Sequence, residues 1–321
     1  MNFSGLVVGL GQIGLGYDHH DRSHSFVASH AKAFHLHPAF SSVDAVDPES
    51  SRRQMFSDRY GGTTYSNIRC ALEHCKPDVA VVATPTTHHA ENFYALLECA
   101  SLRLILCEKP MTTTLSEAVT MLEAARRKHI SVAVNYIRRY DPGIRNSLSR
   151  IRSGELGYPL KACVWYRKGI FNNGSHLLNL LLSVLGRVER VQVISKGRLW
   201  DGWDPEPDLK VVFQQGEAYF MSGSEDDFSY HQMELVGPVG KVLYDKDDKI
   251  FWWGIGAGLS FPDHNVLWQQ PEKIVTDMKR YQYNVLQNVA DFLDGHAPLF
   301  CDGVSGLETL QALDMIQAEL L

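Results

Sequence analysis

The order of apolar and polar positions along the chain changes near residue 136. Up to that point, short β-branched runs alternate with amphipathic stretches, a pattern typical of βαβ units that build a parallel sheet. The predicted strands are residues 5–8, 41–46, 78–84, 103–108 and 131–136. Helical periodicity fills most of the intervals. Thr87 is the predicted N-cap of one helix, and Thr114 with Glu117 forms the predicted capping box of another.

Beyond residue 158 the pattern becomes strand-forming segments separated by turns, followed by two helices. The segments are 160–168, 190–195, 208–216, 217–223, 231–245 and 249–254, and the helices are 276–294 and 303–320. We therefore predict an α/β protein whose first domain, residues 1–136, is built on a parallel sheet. Residues 137–321 are predicted to form a second, α+β domain with a mostly antiparallel sheet. The last helix either stays there or packs back on the first domain.

Composition and charge narrow the class of protein. The chain has 321 residues, 45% of them hydrophobic, which predicts a folded protein of two packed units. A net charge of −6 without a cluster of basic residues argues against nucleic acid or anionic membrane as a partner. Neither a signal sequence nor an apolar run of about 20 residues is found, so the predicted location is cytoplasmic.

Cysteine and histidine positions do not indicate a metal site. The six cysteines form no C-x-x-C pair, and reduced structural thiols are the expectation. Six of the fourteen histidines lie between residues 19 and 37, but their spacing matches no standard set of ligands. A polar surface loop is therefore favoured over metal binding in this segment.

The first chemical motif is "GLGQIG", in which Gly9, Gly11 and Gly14 follow the first predicted strand. The first glycine permits a tight turn, the second lets a pyrophosphate approach the backbone, and the third allows close packing of a helix. The predicted cofactor loop therefore comprises these glycines with Gln12 and Ile13. A glycine turn that binds no ligand is the alternative.

Asp47, at the end of the second predicted strand, is the type of residue that binds an adenosine ribose and repels the 2'-phosphate of NADP. It lies 33 residues beyond Gly14, against the roughly 20 expected. The extra length is residues 15–29, predicted to be an insertion before the helix resumes. NAD is favoured, but Arg52 and Arg53 could neutralise a phosphate and keep NADP open. Residues 15–29 either act as a lid or contact the substrate, or they form a loop exposed to solvent without such a role.

Six segments together resemble the glucose-fructose oxidoreductase, inositol dehydrogenase and MocA (Gfo/Idh/MocA) family. In chain order they are "GLGQIG", "SHAKAF", "VVATPTTHHAE", "CEKP", "NYIRRYDP" and "NNGSHLLN", and they span nearly the whole chain. The resemblance implies a Rossmann domain, a second domain whose open sheet makes homodimer or homotetramer contacts, and NAD(P)-dependent chemistry. The implied substrate is a hydroxyl-bearing carbon of a sugar, polyol or nucleotide-sugar.

Lys109, in "CEKP", is the first predicted catalytic residue. Ligands of open parallel sheets bind beyond the carboxyl ends of the strands, where a cation can stabilise an alkoxide. The resemblance implies this role for Lys109 and a cis peptide between Lys109 and Pro110. It also adds residues predicted to contact the cofactor: Thr84, Pro85, His89, Glu108 and Lys109. The alternatives are an exposed lysine at a strand end and, for His89, a plain position at a helix start.

His176, in "NNGSHLLN", is the second predicted catalytic residue. In a helix Asn172, His176 and Asn179 share one face, and a neutral imidazole can take a hydroxyl proton. A buried structural histidine is the alternative. Members of the family commonly carry aspartates where this chain has the two asparagines, which cannot offset an imidazolium charge.

The missing aspartates suit an anionic substrate such as a nucleotide-sugar or sugar acid. They also bring other side chains into consideration for substrate contact and proton transfer, namely Tyr136, Arg139 and Tyr166. Two further function classes stay open. The protein could be a non-enzymatic sensor of a dinucleotide or sugar, or an enzyme that oxidises its substrate transiently and then returns the hydride.

Overall fold

The structure, a computed structural model, describes residues 2–223, 230–245, 248–258 and 264–321. Contacts divide the chain into two compact units. The first contains the residues up to Tyr140 together with Asp277–Leu310, and the second contains Asp141–Thr276 and Gln311–Leu321.

The first unit is built on a fully parallel sheet with the strand order β3-β2-β1-β4-β5-β6. The strands are β1 Phe3–Val8, β2 Phe40–Val46, β3 Thr64–Tyr65, β4 Val79–Val82, β5 Leu104–Cys107 and β6 Ser131–Val134. This order is that of a dinucleotide-binding Rossmann sheet. The five predicted strands are confirmed. β3 was not predicted, because two residues carry no periodicity.

Helices complete both units. They are α1 His30–Leu36, α2 Ser50–Tyr60, α3 Ile68–His74, α4 His89–Leu96, α5 Leu115–Arg127, α6 Pro142–Arg152, α7 Ser175–Leu185, α8 Tyr281–Leu293 and α9 Gly303–Leu320. The predicted cap of α5 is confirmed, since the Thr114 side chain accepts a hydrogen bond from Glu117 N at 3.4 Å. The predicted cap of α4 is wrong. A 3-10 turn, Thr86–His88, precedes α4, and no side chain caps the helix.

The contacts divide the chain after Tyr140, close to the predicted residue 136, but they place Asp277–Leu310 in the first unit. The segment before α8 is tied to that unit by backbone hydrogen bonds from Val27 N to Lys279 O (2.9 Å) and from Gln282 N to Val27 O (3.3 Å). The apolar face of α8 lies in the core of the first unit. Periodicity predicts that α8 buries one face, but it does not say which sheet that face covers.

The second unit contains a mixed, mostly antiparallel sheet with the order β16-β15-β14-β13-β7-β12-β11-β8, and β17 pairs with β15. Its strands are β7 Leu160–Tyr166, β8 Val188–Ser195, β11 Asp208–Phe213, β12 Gly216–Ser222, β13 Gln232–Gly237, β14 Gly240–Asp245, β15 Lys249–Ala257, β16 Asn265–Leu267 and β17 Glu272–Ile274. Separately, β9 Leu199–Trp200 pairs with β10 Asp204–Pro205. Burial alternates along β7, as expected for a sheet with one covered face. The predicted fold class is confirmed.

Membrane segments, metal ligands and thiols each bear on the nature of the site. Among the described residues, no helix is both long enough and apolar enough to span a bilayer. The same residues contain no group of three or more His, Cys, Asp or Glu side chains that could hold a metal ion. The six cysteines are free thiols, and burial raises the pKa of Cys75 to about 11.

Candidate functional site

The carboxyl edge of the parallel sheet carries most of the predicted cofactor residues. Gly9, Asp47 and Glu108 directly follow β1, β2 and β5, and Asn135 directly follows β6. The backbone ladder continues into them, as in the hydrogen bonds from Gly9 N to the end of β2 (2.8 Å) and from Glu108 N to the end of β4 (3.0 Å). Because these residues extend the sheet, their positions are fixed by its rigid backbone.

The glycine loop after β1 has the geometry that a pyrophosphate requires. Gly9 has φ 99°, and a Cβ there would lie 2.7 Å from the carbonyl oxygen of Ala83. A Cβ on Gly14 would lie 2.0 Å from Gly9 O, so a side chain is excluded there as well. A Cβ on Gly11 would meet no protein atom within 4 Å. The loop is thus close-packed at its first and third glycines and open at its second, which fits a bound dinucleotide.

The insertion predicted at residues 15–29 interrupts one helix. A helical turn spans residues 11–17, and α1 continues it after the excursion. The two parts are joined by hydrogen bonds from His30 N to Ile13 O and from Ala31 N to Gly14 O, both 3.0 Å. The predicted resumption of the helix is therefore confirmed, and the side chain of Gln12 is exposed on the first turn.

Asp18 closes the base of the insertion. Its buried carboxylate accepts hydrogen bonds from Ala28 N (2.6 Å), Ser29 N (3.0 Å) and the Ser29 hydroxyl. Ser29 in turn caps α1 by accepting a hydrogen bond from Lys32 N at 3.3 Å. The ends of the insertion are therefore fixed to the helix it interrupts, whereas residues 22–26 are exposed.

Asp47 braces the glycine loop. Its buried carboxylate accepts hydrogen bonds from Leu10 N (2.8 Å) and Glu49 N (2.9 Å). Arg52 Nη1 lies 3.6 Å from Asp47 Oδ2, and the Arg52 side chain is half exposed. Arg53 instead donates to the Asp47 carbonyl oxygen at 2.7 Å. Each carboxylate oxygen can accept a second hydrogen bond, so Asp47 keeps capacity for a ribose hydroxyl.

His89 connects two loops of the carboxyl edge. It is the first residue of α4 and is buried. Its Nε2 lies 2.8 Å from Thr84 O, and its Nδ1 lies 3.1 Å from Pro110 O. The side chain therefore joins the loops that follow β4 and β5. Pro85 is exposed beside them.

Glu108 lies in a polar network of the first unit. Its Oε1 accepts hydrogen bonds from His30 Nε2 (2.7 Å) and Asn135 Nδ2 (2.6 Å), and Asn135 Nδ2 also lies 3.2 Å from Gln282 Oε1. Its Oε2 lies 3.3 Å from Lys109 N. Burial by itself raises the pKa of Glu108. The hydrogen bond and charge of His30, the hydrogen bond of Asn135 and the charge of Lys109 together hold that pKa below its ordinary value. Glu108 is therefore a carboxylate at neutral pH.

Lys109 follows Glu108 and is half-buried. The peptide between Lys109 and Pro110 is cis, which confirms the prediction from the resemblance. One strand, β4, separates β5 from β1, so the loops that carry Lys109 and the glycines begin about 10 Å apart. Of the two substrate residues predicted nearby, Tyr136 is buried and Arg139 donates to Phe300 O at 2.7 Å.

In the second unit, the segment predicted as one helix has two parts. A π-helical turn, Gly169–Gly174, contains Asn172, and α7 begins after it. His176 is the second residue of α7 and is 7% exposed, and Asn179 is 1% exposed. A spacing of three in α7 puts His176 and Asn179 on the same face. Asn172 lies in the preceding, wider turn.

Two buried carboxylates shape the turn before α7. Asp204 accepts hydrogen bonds from Phe171 N (3.0 Å) and Asn172 N (2.9 Å). Glu206 accepts hydrogen bonds from Lys168 N (2.7 Å) and from Arg198 Nε (2.7 Å). Neither Asp204 nor Glu206 was predicted from the sequence. The only indication was the presence of two acidic residues in the stretch "DPEP".

Tyr166 belongs to the interior of the second unit. Its side chain is fully buried, and its hydroxyl donates to Pro207 O at 2.6 Å. Burial, reinforced by Glu206 and Asp204, raises its pKa far above the ordinary value. A packing role therefore replaces the substrate contact predicted for Tyr166.

Two residues that contact Glu108 lie in the sequence motifs, but their hydrogen bonds to Glu108 could not be predicted from those motifs. His30 and Asn135 lie in "SHAKAF" and "NYIRRYDP". Gln282 carried no signal, because its role depends on α8 packing in the first unit.

Comparison with known families identifies the first unit. A profile of the family described as "Oxidoreductase family, NAD-binding Rossmann fold", Gfo/Idh/MocA, matches residues 3–136. Residues 3–136 therefore match the NAD-binding domain of the Gfo/Idh/MocA family. The resemblance to this family and the predicted NAD-binding Rossmann domain are both confirmed over those residues.

A curated relative of the chain is inositol 2-dehydrogenase 3 of Saccharopolyspora erythraea. It is 30% identical over 125 residues, which cover 38% of this chain and 36% of the relative. The chain thus matches about a third of the length of that relative.

Solved structures of similar fold cover nearly the whole chain. An oxidoreductase from Agrobacterium radiobacter in complex with NAD+, L-tartaric acid and magnesium has a TM-score of 0.79 at 14% identity, covering 100% of this chain and 96% of that one. The WlbA dehydrogenase from Bordetella pertussis in complex with NADH and UDP-GlcNAcA has a TM-score of 0.77 at 17% identity, covering 99% and 95%. At these identities the likeness shows the fold.

Proposed function

We propose that the protein is an NAD-dependent dehydrogenase that acts on a hydroxyl-bearing carbon of a sugar, polyol or nucleotide-sugar. The observation that carries the proposal is the glycine loop, open at Gly11, on the same sheet edge as the half-buried Lys109. The names of its relatives, which include an inositol dehydrogenase and a dehydrogenase crystallised with a UDP-sugar acid, support this substrate class.

The residues that would hold NAD are those of the carboxyl edge. The glycine loop would bind the pyrophosphate, with Asp47 on the adenosine ribose and Thr84, Pro85 and Glu108 along the path to the nicotinamide. NAD is preferred to NADP because the Asp47 carboxylate repels a 2'-phosphate. Arg52, 3.6 Å from that carboxylate, offsets part of the repulsion. When bound, NAD supplies the acceptor for a hydride from the substrate carbon.

Lys109 and His176 have different proposed roles in the reaction at the substrate hydroxyl. The Lys109 ammonium stabilises negative charge on the oxygen as the proton leaves. His176 takes that proton, and Asn172 and Asn179 bind substrate hydroxyls or orient the imidazole. With amides in place of carboxylates, this part of the protein does not repel an anionic substrate, which favours a nucleotide-sugar or a sugar acid.

The proposal extends to assembly and location. One face of the second-unit sheet presents large apolar side chains on adjacent strands, Trp165 (37% exposed), Tyr219 (36%) and Val236 (44%). We assign this face to a homodimer or homotetramer contact. Six free thiols fit a reducing compartment, so we assign the protein to the cytoplasm.

The test is NADH absorbance at 340 nm with a panel of polyols, sugar acids and UDP-, GDP- and CDP-sugars. Lys109→Met and His176→Ala should each lower turnover by about 100-fold or more, the usual contribution of such groups, while leaving NAD affinity intact. Lys76→Met is the matched control. Lys76 is an exposed lysine just before β4, at the amino edge of the same sheet.

Wild-type activity lost in both variants and kept in Lys76→Met would establish the dehydrogenase. If NAD binds but no substrate yields NADH, the proposal fails. A sensor or a hydride-returning enzyme would then replace it, and product analysis without NADH formation separates these two.

A further inference from the structure

We propose that His30 is a positioning residue which, with Asn135, holds the Glu108 carboxylate so that its second oxygen can accept a hydrogen bond from a bound hydroxyl. The hydroxyl belongs either to the cofactor ribose or to the sugar substrate. This inference rests on the proposed function, and it assigns a role to a residue that the dehydrogenase chemistry above does not use.

The two carboxylate oxygens of Glu108 differ in the hydrogen bonds that they accept. Its Oε1 accepts two hydrogen bonds, at 2.7 Å from His30 and 2.6 Å from Asn135. Its Oε2 has a 3.3 Å contact with Lys109 N, which is long for a charge-assisted hydrogen bond. A carboxylate oxygen can accept two hydrogen bonds, so Oε2 retains capacity. The side chain is 12% exposed, against 0% for His30.

The insertion explains how His30 is held in place. His30 is the first residue of α1 and follows Ser29, which is hydrogen-bonded to Asp18 at the base of the insertion. The insertion is also tied to the start of α8 through Val27, and α8 carries Gln282 of the same network. Both ends of the network are thus attached to residues 15–29. The role of the insertion, open from the sequence, includes fixing His30 against Glu108.

Electrostatics gives the proposal a distinctive signature. Charged and titratable groups face Glu108 from several elements: His30 on α1, Tyr281 on α8, Tyr140 after β6, and Cys107 and Lys109 on its own strand and loop. Burial raises the pKa of both tyrosines, so they are neutral at pH 7. Without His30, burial would act on Glu108 with less opposition, and Glu108 would protonate at a higher pH.

The experiment compares His30→Gln with His37→Gln. His37 is also buried, lies at the other end of α1 and contacts Gln287 of α8 at 3.2 Å, so it matches His30 in burial and element. We measure NAD affinity by fluorescence, and kcat and KM from pH 5 to 9. His30→Gln should lose about tenfold in kcat/KM or NAD affinity at pH 7, as expected for a weakened hydrogen bond to a charged group. The acid limb of the pH profile should move to higher pH, and His37→Gln should keep the wild-type limb.

The same measurements separate the outcomes. A loss in NAD affinity identifies the ribose as the hydroxyl donor, and a rise in substrate KM alone identifies the sugar. Equal pH profiles for the two variants would overturn the proposal. If His30→Gln does not fold, the isosteric Glu108→Gln should show the same loss at pH 7, and wild-type behaviour there would also overturn the proposal. If the wild type turns over no substrate, the proposed function fails, and NAD affinity of the variants still tests this inference.

Discussion

The carboxyl edge of the first unit and the start of α7 in the second both use buried carboxylates, in opposite ways. Glu108 keeps one oxygen with capacity for a ligand, and Gly11 faces open space. Asp204 and Glu206 instead accept hydrogen bonds from the backbone of residues 168–172. The first region is built to bind, and the second is built to hold a shape.

This difference predicts which property of the protein changes when residues of each region are substituted. Changes in the glycine loop of the first region should alter cofactor affinity, because the space beside Gly11 is open to a ligand. Changes at the two carboxylates that bind the turn before α7 should alter stability and turnover but not cofactor affinity, because they act on the backbone that leads to His176. Variants that violate this division would break the comparison.

The largest effect is expected at the glycine loop. Gly14→Ala puts a methyl group 2.0 Å from the backbone oxygen of Gly9, where nothing flexible can yield, so both folding and NAD binding should be lost. Gly11→Ala meets no protein atom. It should leave thermal stability unchanged and weaken NAD binding by at least tenfold, because the methyl group occupies the space through which the pyrophosphate approaches.

Thermal unfolding and NAD titration of both glycine variants test this pair. Tight NAD binding by Gly11→Ala would show that the open space beside Gly11 is not the cofactor site. Loss of stability in that variant would show instead that the loop depends on Gly11 for its fold.

A smaller effect is expected at Asp204. Asp204→Ala leaves the N–H groups of Phe171 and Asn172 without their acceptor, which should lower the free energy of unfolding by about 1–3 kcal/mol. Turnover should fall because the turn before His176 loosens, while NAD affinity stays at the wild-type value. Chemical denaturation, kinetics and NAD titration measure the three quantities. A change in NAD affinity would contradict the division between the regions.

The parallel sheet could be predicted from sequence because each βαβ unit is local. Apolar runs such as "VAVV" in β4 are short and flanked by turn residues, so their number and order follow from reading along the chain. The packing of α8 could not be predicted in this way. Its apolar face fits either domain, and what places it is backbone pairing with Val27, more than 250 residues earlier.

The residues of the candidate site can likewise be separated into those placed by local sequence and those placed by long-range contacts. Gly9, Gly11, Gly14 and Asp47 were found because strand ends and glycine spacing place them without reference to the rest of the chain. His30 was not, because its partner Glu108 lies 78 residues away. Asp204 likewise follows α7 in sequence but supports the turn before it. Long-range hydrogen bonds of buried polar groups leave no periodic signal in a single sequence.

The smallest effect is expected at His37, a buried histidine of the first unit that we assign to packing, in contrast to His30, which positions Glu108. Burial lowers the pKa of His37, against an opposing hydrogen bond from Gln287. The folded protein therefore keeps His37 neutral at a pH where the unfolded chain, with a pKa near 6.5, takes up a proton. The stability that His37 contributes is present above pH 6.5 and is lost as the pH falls. Melting temperatures at pH 7.5 and 5.5 should thus differ by less in His37→Gln than in the wild type. An unchanged or larger difference would mean that His37 is charged in the folded protein, and it would then no longer serve as the neutral counterpart of His30.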